Sequence, residues 1–270
     1  MRVAVVQFAA SPDKERNRAL LRDGVRAAAD LGAELAVLPE AAMHPFGGPD
    51  DSLVGVAEPL DGPFGTELVE AAGKHRLTVV GGLFEPAPGG ERVFNTVLAA
   101  GPDGPLGHYR KLHLFDALGW LESAKVVPAP LDPAAPALLT FPLADWTVGV
   151  LTCYDLRFPE MARVLVDRGA TLLAVPAAWV AGPLKESHWQ VLTRARAIEN
   201  TCYVAAADQC APGYAGRSLI ADPMGVVVAQ VGEAAGVAVA DISADRLASV
   251  RQTLPSLLHR RFDTRPSSRS

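Results

Sequence analysis
The stretch from Thr147 to Pro159, TVGVLTCYDLRFP, constrains this chain more than any other. Residues 147–152 form a β-branched, apolar run that reads as a buried strand. The run stops at Cys153, and after a short polar turn Pro159 opens a helical pattern, proline being tolerated in a first helical turn. Such a handover places the thiol at the end of a sheet. There, backbone N–H groups near the helix start can face a substrate oxygen. A helix N-terminus or a nearby cation also favours the thiolate, the reactive form of cysteine. The same residue can equally be a small hydrophobe closing a core strand.

Two further segments supply complementary chemistry. Leu35-Ala36-Val37-Leu38-Pro39-Glu40 is a second apolar strand ending in a carboxylate, and residues 108–116 place Lys111 among basic and aromatic neighbours. A carboxylate, an ammonium and a thiol make a hydrolytic set: Glu40 as general base, Lys111 as the charge that holds an oxyanion, Cys153 as nucleophile. Taken singly, Glu40 is also a strand-end surface carboxylate and Lys111 a solvated cation.

In this order the three segments, LPEAAM, YRKLHLFD and CYDLRFPE, resemble the carbon–nitrogen hydrolase (nitrilase) superfamily. The resemblance runs from Arg2 to about Arg261. It takes in Trp120-Leu121-Glu122-Ser123, Val175–Trp179, His188-Trp189, Arg194–Asn200 and Gly216–Gly225. It implies a Glu40–Lys111–Cys153 triad, with Glu122 as a second glutamate beside the lysine. It also implies that the Tyr154 N–H is a second oxyanion donor, and a four-layer αββα sandwich as the fold. The branch it most resembles holds omega-amidases and deaminated-glutathione amidases. That implies hydrolysis of a small, carboxylated amide, with nitrile or N-carbamoyl hydrolysis by the same triad as the alternatives. It also implies pairing as a homodimer or larger homo-oligomer. The chain departs from that branch at 180–187, Val-Ala-Gly-Pro-Leu-Lys-Glu-Ser, where a Thr/Gly-rich stretch is usual. It departs again at 127–130, Val-Pro-Ala-Pro, where Pro-Gly is usual. An isochorismatase-like cysteine hydrolase would place an aspartate early in the chain, where this one has Glu40.

Other chemistry-bearing residues have roles around this set. Trp179 closes an apolar strand and is a candidate pocket wall. Asp155, Arg157 and Glu160 read as an ion-pair network fixing the turn after Cys153. His113 and His188 read as structural, since the triad already contains a base. Arg196 and Glu199 are spaced for an intrahelical pair. Cys202 falls in an apolar strand and Cys210 in a polar loop. No Cys/His cluster has zinc spacing, and the proposed chemistry needs no metal or organic cofactor.

Composition narrows the partners. A formal net charge of −5 over 270 residues, without a nucleic-acid-binding motif, argues against nucleic acid or an anionic membrane surface. No run of about 18 apolar residues suggests a membrane span. Met1–Gln7 reads as a strand and not as a signal peptide, because Gln7 cuts the apolar run short. With only three cysteines, an odd number, the expectation is free thiols in a reducing cytoplasm.

Strands are expected at 2–8, 34–39, 78–84, 94–100, 105–111, 146–152, 171–176, 202–207, 217–222 and 236–241. Helices are expected at 14–31, 65–76, 158–168, 187–200 and 243–253. Turn sequences at 101–104 and 222–225 mark hairpins. Early alternation of strand and helix favours an α/β fold with outer helices. Pattern alone leaves a doubly wound single sheet open. The proline-rich stretch 128–142 reads as a surface connection within one domain over 1–262, followed by a short polar tail at 263–270.

Overall fold
In the computed structural model, which describes residues 1–132, 137–211 and 213–264, the apolar strands assemble into two sheets. The first sheet opens with three parallel strands, β1 (Arg2–Gln7), β2 (Leu35–Val37) and β3 (Thr78–Pro86). They are connected by α1 (Lys14–Asp30) and α2 (Pro63–His75). The hairpin of β4 (Val93–Gly101) and β5 (Gly104–Arg110) extends it, turning at the expected 101–104. A short ribbon of β6 (Asp116–Ala117) and β7 (Trp120–Leu121) stands apart.

The second sheet holds β8 (Thr140–Leu143), β9 (Trp146–Val150), β10 (Leu172–Ala177), β11 (Tyr203–Asp208), β12 (Leu219–Ala221) and β13 (Val227–Gln230). Here α3 (Pro159–Asp167) and α4 (Lys185–Asn200) make the parallel crossovers. The chain then returns as β14 (Gly236–Asp241), antiparallel to β1, before α5 (Ala244–Thr253). The strand orders are β14-β1-β2-β3-β4-β5 and β13-β12-β11-β10-β9-β8.

Side-chain alternation explains how the layers stack. In β1, Val3 and Val5 share a core with Val148, Val150 and Val175 of the other sheet. Ala4 and Val6 face Leu21, Val25 and Leu68 of α1 and α2. A strand buried on both faces reads as a continuous apolar run, which is how these segments look in the sequence. Helix α1 is capped by Asp13, whose side chain accepts the Glu15 and Arg16 amides at 2.9 and 3.2 Å. Its Gly24 lets the helix ride low over β1, since a Cβ there would lie 2.5 Å from Val6 Cγ1. With α1 and α2 outside one sheet and α3 and α4 outside the other, the architecture is an αββα sandwich. The single-sheet alternative is excluded.

Several boundaries differ from the expected ones. The strand expected at 34–39 is regular only over Leu35–Val37; Leu38 still donates to the Val80 carbonyl at 2.8 Å, and Pro39, which has no N–H, only accepts, from Gly82 at 3.1 Å. The one expected at 217–222 pairs only over Leu219–Ala221. Helix α2 begins at Pro63, not 65, with proline in its first turn, and α4 begins at Lys185, not 187. The strands β6, β7 and β8 lie outside the expected set, the first two with two residues each and β8 largely in the proline-rich stretch, while β12 and β13 form the hairpin expected at 222–225. Of that stretch, residues 133–136 lie outside the described residues, as do residues 265–270 of the expected tail.

Candidate active site
The C-terminal ends of β2, β5 and β9 converge where the two sheets meet, and each delivers one residue of the expected set. Glu40 follows β2 and is fully buried. Its backbone is pinned from the opposite sheet: its N–H donates to the Ala177 carbonyl at 3.3 Å, and its own carbonyl accepts from Gln209 Nε2 at 2.9 Å. On its other side Gly82 passes so close that a Cβ would sit 2.7 Å from Glu40 Cα. Lys111 follows β5, its N–H held by the Asn95 carbonyl at 2.8 Å. Cys153 follows β9, starts a 3₁₀ turn (Cys153–Arg157), and takes a left-handed backbone with φ of 47°. That conformation is uncommon for a residue with a Cβ, and it turns the thiol out of the strand line.

The side chains form a buried ionic cluster. Lys111 Nζ donates to Glu40 Oε1 at 2.8 Å, and to Glu122 Oε2 and Oε1 at 2.9 and 3.1 Å. Glu40 Oε2 accepts the Ala178 amide at 2.8 Å, a bond that reaches across to the second sheet. Glu122 belongs to a 3₁₀ turn (Glu122–Ala124) directly after β7, and its Oε2 accepts the Phe115 amide at 2.7 Å. It is therefore no solvated loop carboxylate.

Burial works against the Lys111 charge, but the charges of Glu122 and then Glu40 outweigh it, and its pKa rises well above the ordinary lysine value. Glu122 is pushed up by burial against the pull of Lys111, with Glu40 adding to the rise. The cysteine departs from expectation. Burial, and next the charge of Glu40, raise the Cys153 pKa well above that of a free thiol; Lys111 acts the other way and is outweighed. These surroundings favour the thiol over the thiolate, with the Glu40 carboxylate beside it.

Asp155 organises the turn, though not through the expected ion pairs with Arg157. Its Oδ2 accepts the Thr152 amide at 2.9 Å and the Tyr109 hydroxyl at 2.8 Å, while Oδ1 lies 2.7 Å from His113 Nδ1. Tyr109 and His113 flank Lys111, so one carboxylate ties the lysine segment to the cysteine turn. Arg157 instead lies against aromatic rings, 4.7 Å from the Trp179 centroid, with its Nη2 3.4 Å from His188 Nδ1. Arg196 and Glu199 form the expected intrahelical pair at 2.8 Å. Cys202 is core, whereas Cys210, expected in a polar loop, is also buried.

Above the cluster lies a cavity of about 260 Å³. Glu40, Lys111, Glu122 and Cys153 are at its floor, and Tyr154, Trp179, Phe115, Tyr214 and Lys185 are among its walls. Trp179 is both wall and core, being almost wholly buried with its indole N–H bound to the Lys185 carbonyl at 2.8 Å. Tyr154 packs edge-on to Phe115 at 5.0 Å.

Two participants escaped the sequence reading. Asn95, in the middle of β4, donates from Nδ2 to Glu40 Oε1 at 2.7 Å and to Glu122 Oε1 at 3.1 Å. An amide inside an otherwise apolar buried strand was the available signal. Lys185 was passed over inside an irregular stretch.

Comparison with known proteins places this geometry. The family model for carbon–nitrogen hydrolases matches residues 2–252. A hydrolase of Mycobacterium tuberculosis (strain H37Rv) is 39% identical, covering 95% of this chain and 94% of its own length. The deaminated glutathione amidase of Escherichia coli O157:H7 is 37% identical over 97% of this chain and 98% of its own. Among solved structures, the amidase of Nesterenkonia sp. AN1 superposes with a TM-score of 0.79 at 28% identity, covering 96% of this chain and 99% of that one. It was captured as a variant after Michael addition of acrylamide at its active-site cysteine. Together with the αββα sandwich, these matches establish that the chain belongs to the carbon–nitrogen hydrolase (nitrilase) superfamily.

Proposed function
We propose that this protein hydrolyses the amide bond of a small, carboxylated compound through a thioester on Cys153. The observation that carries the reading is the Lys111 ammonium, clamped between Glu40 and Glu122 at the floor of a cavity that also holds Cys153. An ammonium has three donors. Glu40 takes one and the two oxygens of Glu122 share another, which leaves one for a substrate carbonyl oxygen.

Glu40 takes the proton of the Cys153 thiol as sulfur attacks the amide carbon. Removing the proton only during attack suits a thiol whose pKa is raised by burial. Lys111 and the Tyr154 N–H hold the tetrahedral oxyanion. Collapse breaks the C–N bond, and Glu40 returns its proton to the departing amine. Water then enters, gives a proton to Glu40, and attacks the thioester, releasing the acid and the free thiol. Glu122 keeps Lys111 charged and in place throughout. Splitting the reaction in two spares water a direct attack on an unactivated amide. The amidase names of relatives support an amide over a nitrile.

The test is ammonia release from a panel of short ω-amides, deaminated glutathione, N-carbamoyl compounds and nitriles, with hydroxylamine added to intercept the thioester. Hydroxamate from amides supports the reading. Turnover of nitriles alone, or ammonia without hydroxamate or a Cys153 adduct by mass spectrometry, overturns it.

A further inference from the structure
Lys185 is the first residue of α4, and its side chain turns into the cavity that holds Cys153. The residue is 6% exposed. Its ammonium lies 4.4 Å from the Phe115 ring centroid and 4.8 Å from that of Trp179. Among the described residues no carboxylate forms an ion pair with it, whereas Lys111, the other cation lining the cavity, pairs with two. Arg157, also without a carboxylate partner, lies against the same Trp179 ring. Aromatic faces hold a cation in place, but they do not neutralise it.

A buried charge without a counter-ion is costly, and chains rarely keep one that has no use. The floor of the same cavity has the opposite balance, two carboxylates on one ammonium. An anionic substrate group is repelled from the Glu40–Glu122 side and drawn to the Lys185 wall. Burial lowers the Lys185 pKa and Arg157 adds to the fall, while Cys153, Asp208 and Glu186 pull the other way without forming an ion pair with it. Lys185 also stands in the 180–187 segment, where this sequence departs from the amidase-branch pattern.

We propose that Lys185 is the specificity-determining residue of the cavity, pairing with a carboxylate on the acyl portion of the substrate while the amide carbon sits over Cys153. This rests on the amidase reading above. Arg157 reinforces the field from behind Trp179. The Phe115 and Trp179 rings hold the ammonium, so the pair forms with little side-chain ordering left to do. The substrates are ω-amides whose acyl chain is short enough for the cavity and ends in a carboxylate.

The experiment compares glutaramate with valeramide, which matches it in chain length and lacks only the carboxylate. In the wild-type protein kcat/KM should favour glutaramate. In Lys185→Met that preference should fall by at least about ten-fold, chiefly through KM, because the charge acts on binding and not on the reacting bond. Lys185→Arg should retain part of it, and Lys185→Gln repeats the test if the methionine variant folds poorly. A second arm needs no turnover: calorimetric titration of glutaramate into Cys153→Ala, and into the same variant carrying Lys185→Met. Binding should weaken by a similar factor in the double variant. A preference unchanged by Lys185→Met, a wild-type protein indifferent to the carboxylate, or equal or absent glutaramate binding in the two calorimetric samples overturns the proposal. If neither amide is turned over yet binding depends on Lys185, the amidase reading falls and the carboxylate site stands.

Discussion
The Tyr109 hydroxyl donates to Asp155 Oδ2 at 2.8 Å, joining the strand that ends in Lys111 to the turn that begins with Cys153. The hydroxyl oxygen also accepts the Leu112 amide at 3.0 Å, so removing it takes one of two donors from Asp155 Oδ2 and the acceptor from a part-buried amide. Tyr109→Phe should cost about 1–3 kcal/mol of stability, the usual penalty for unsatisfied buried groups. It should also lower kcat more than it raises KM, because the two reacting segments lose register. Thermal melts and steady-state kinetics on one preparation check both. Unaltered kcat would separate this bond from alignment of the site.

Cys153→Ala should abolish turnover while the protein stays folded, with a residual rate at or below about one per cent of wild type. Cys202→Ala and Cys210→Ala should remain active. The raised thiol pKa adds a stability signature. Above about pH 8.5 an unfolded thiol loses its proton while the folded one keeps it, so the unfolded state binds fewer protons and stability declines as pH rises. Denaturant melts between pH 8 and 10.5 should show wild type losing more stability than Cys153→Ala. Parallel curves would contradict the assigned thiol state.

Lys111→Met leaves Glu40 and Glu122 facing each other with only Asn95 between them. One carboxylate must then take up a proton, and breaking such a buried pair costs about 3–5 kcal/mol. Lys111→Arg keeps the charge but spreads it over a wider planar fork, so it should preserve more stability than activity. Near-wild-type kcat in Lys111→Met would remove the lysine from oxyanion duty.

Glu122→Gln keeps the shape and gives up the charge. Lys111 loses the largest influence raising its pKa, while the Phe115 amide can still find an oxygen. The rate should fall by about 100-fold or more, with a melting temperature close to wild type. A large loss of stability with intact kcat would make Glu122 purely structural.

Gly82→Ala tests how Glu40 is seated. The added methyl would meet Ala41 N at 2.6 Å and Glu40 Cα at 2.7 Å, backbone atoms that cannot swing aside. The variant should lose activity by displacing the base, with a melting temperature several degrees lower. Full activity would mean the strand can shift without moving the carboxylate.

The sequence disclosed the residues of the candidate site better than their setting. Glu40 and Cys153 close apolar runs and Lys111 follows a mixed strand, so only their combination, and not any one segment, singled them out. Glu122 was legible by resemblance alone, since its position depends on a ribbon with two-residue strands. Asn95 and Lys185 were hidden for opposite reasons. One is a lone amide inside a core strand. The other is an ordinary-looking lysine whose isolation exists only once Phe115 and Trp179 close around it. Helix starts and cations favour a thiolate locally, while the burial and the neighbouring Glu40 that raise the Cys153 pKa are products of the assembled fold. The edge strand β8 is absent from the sequence pattern, and β13 is signalled only by its turn at 222–225, because short edge strands carry little periodicity.

Glu40 and Lys111 hang from one sheet and Cys153 from the other, with the Ala178 amide bonding across the seam. Neither half owns a working unit, so chemical competence reports on docking of the halves and not on the secondary structure within them. During refolding, recovery of turnover should trail the far-ultraviolet circular dichroism signal. An inactivating lesion anywhere along the seam can therefore masquerade as damage to the triad itself.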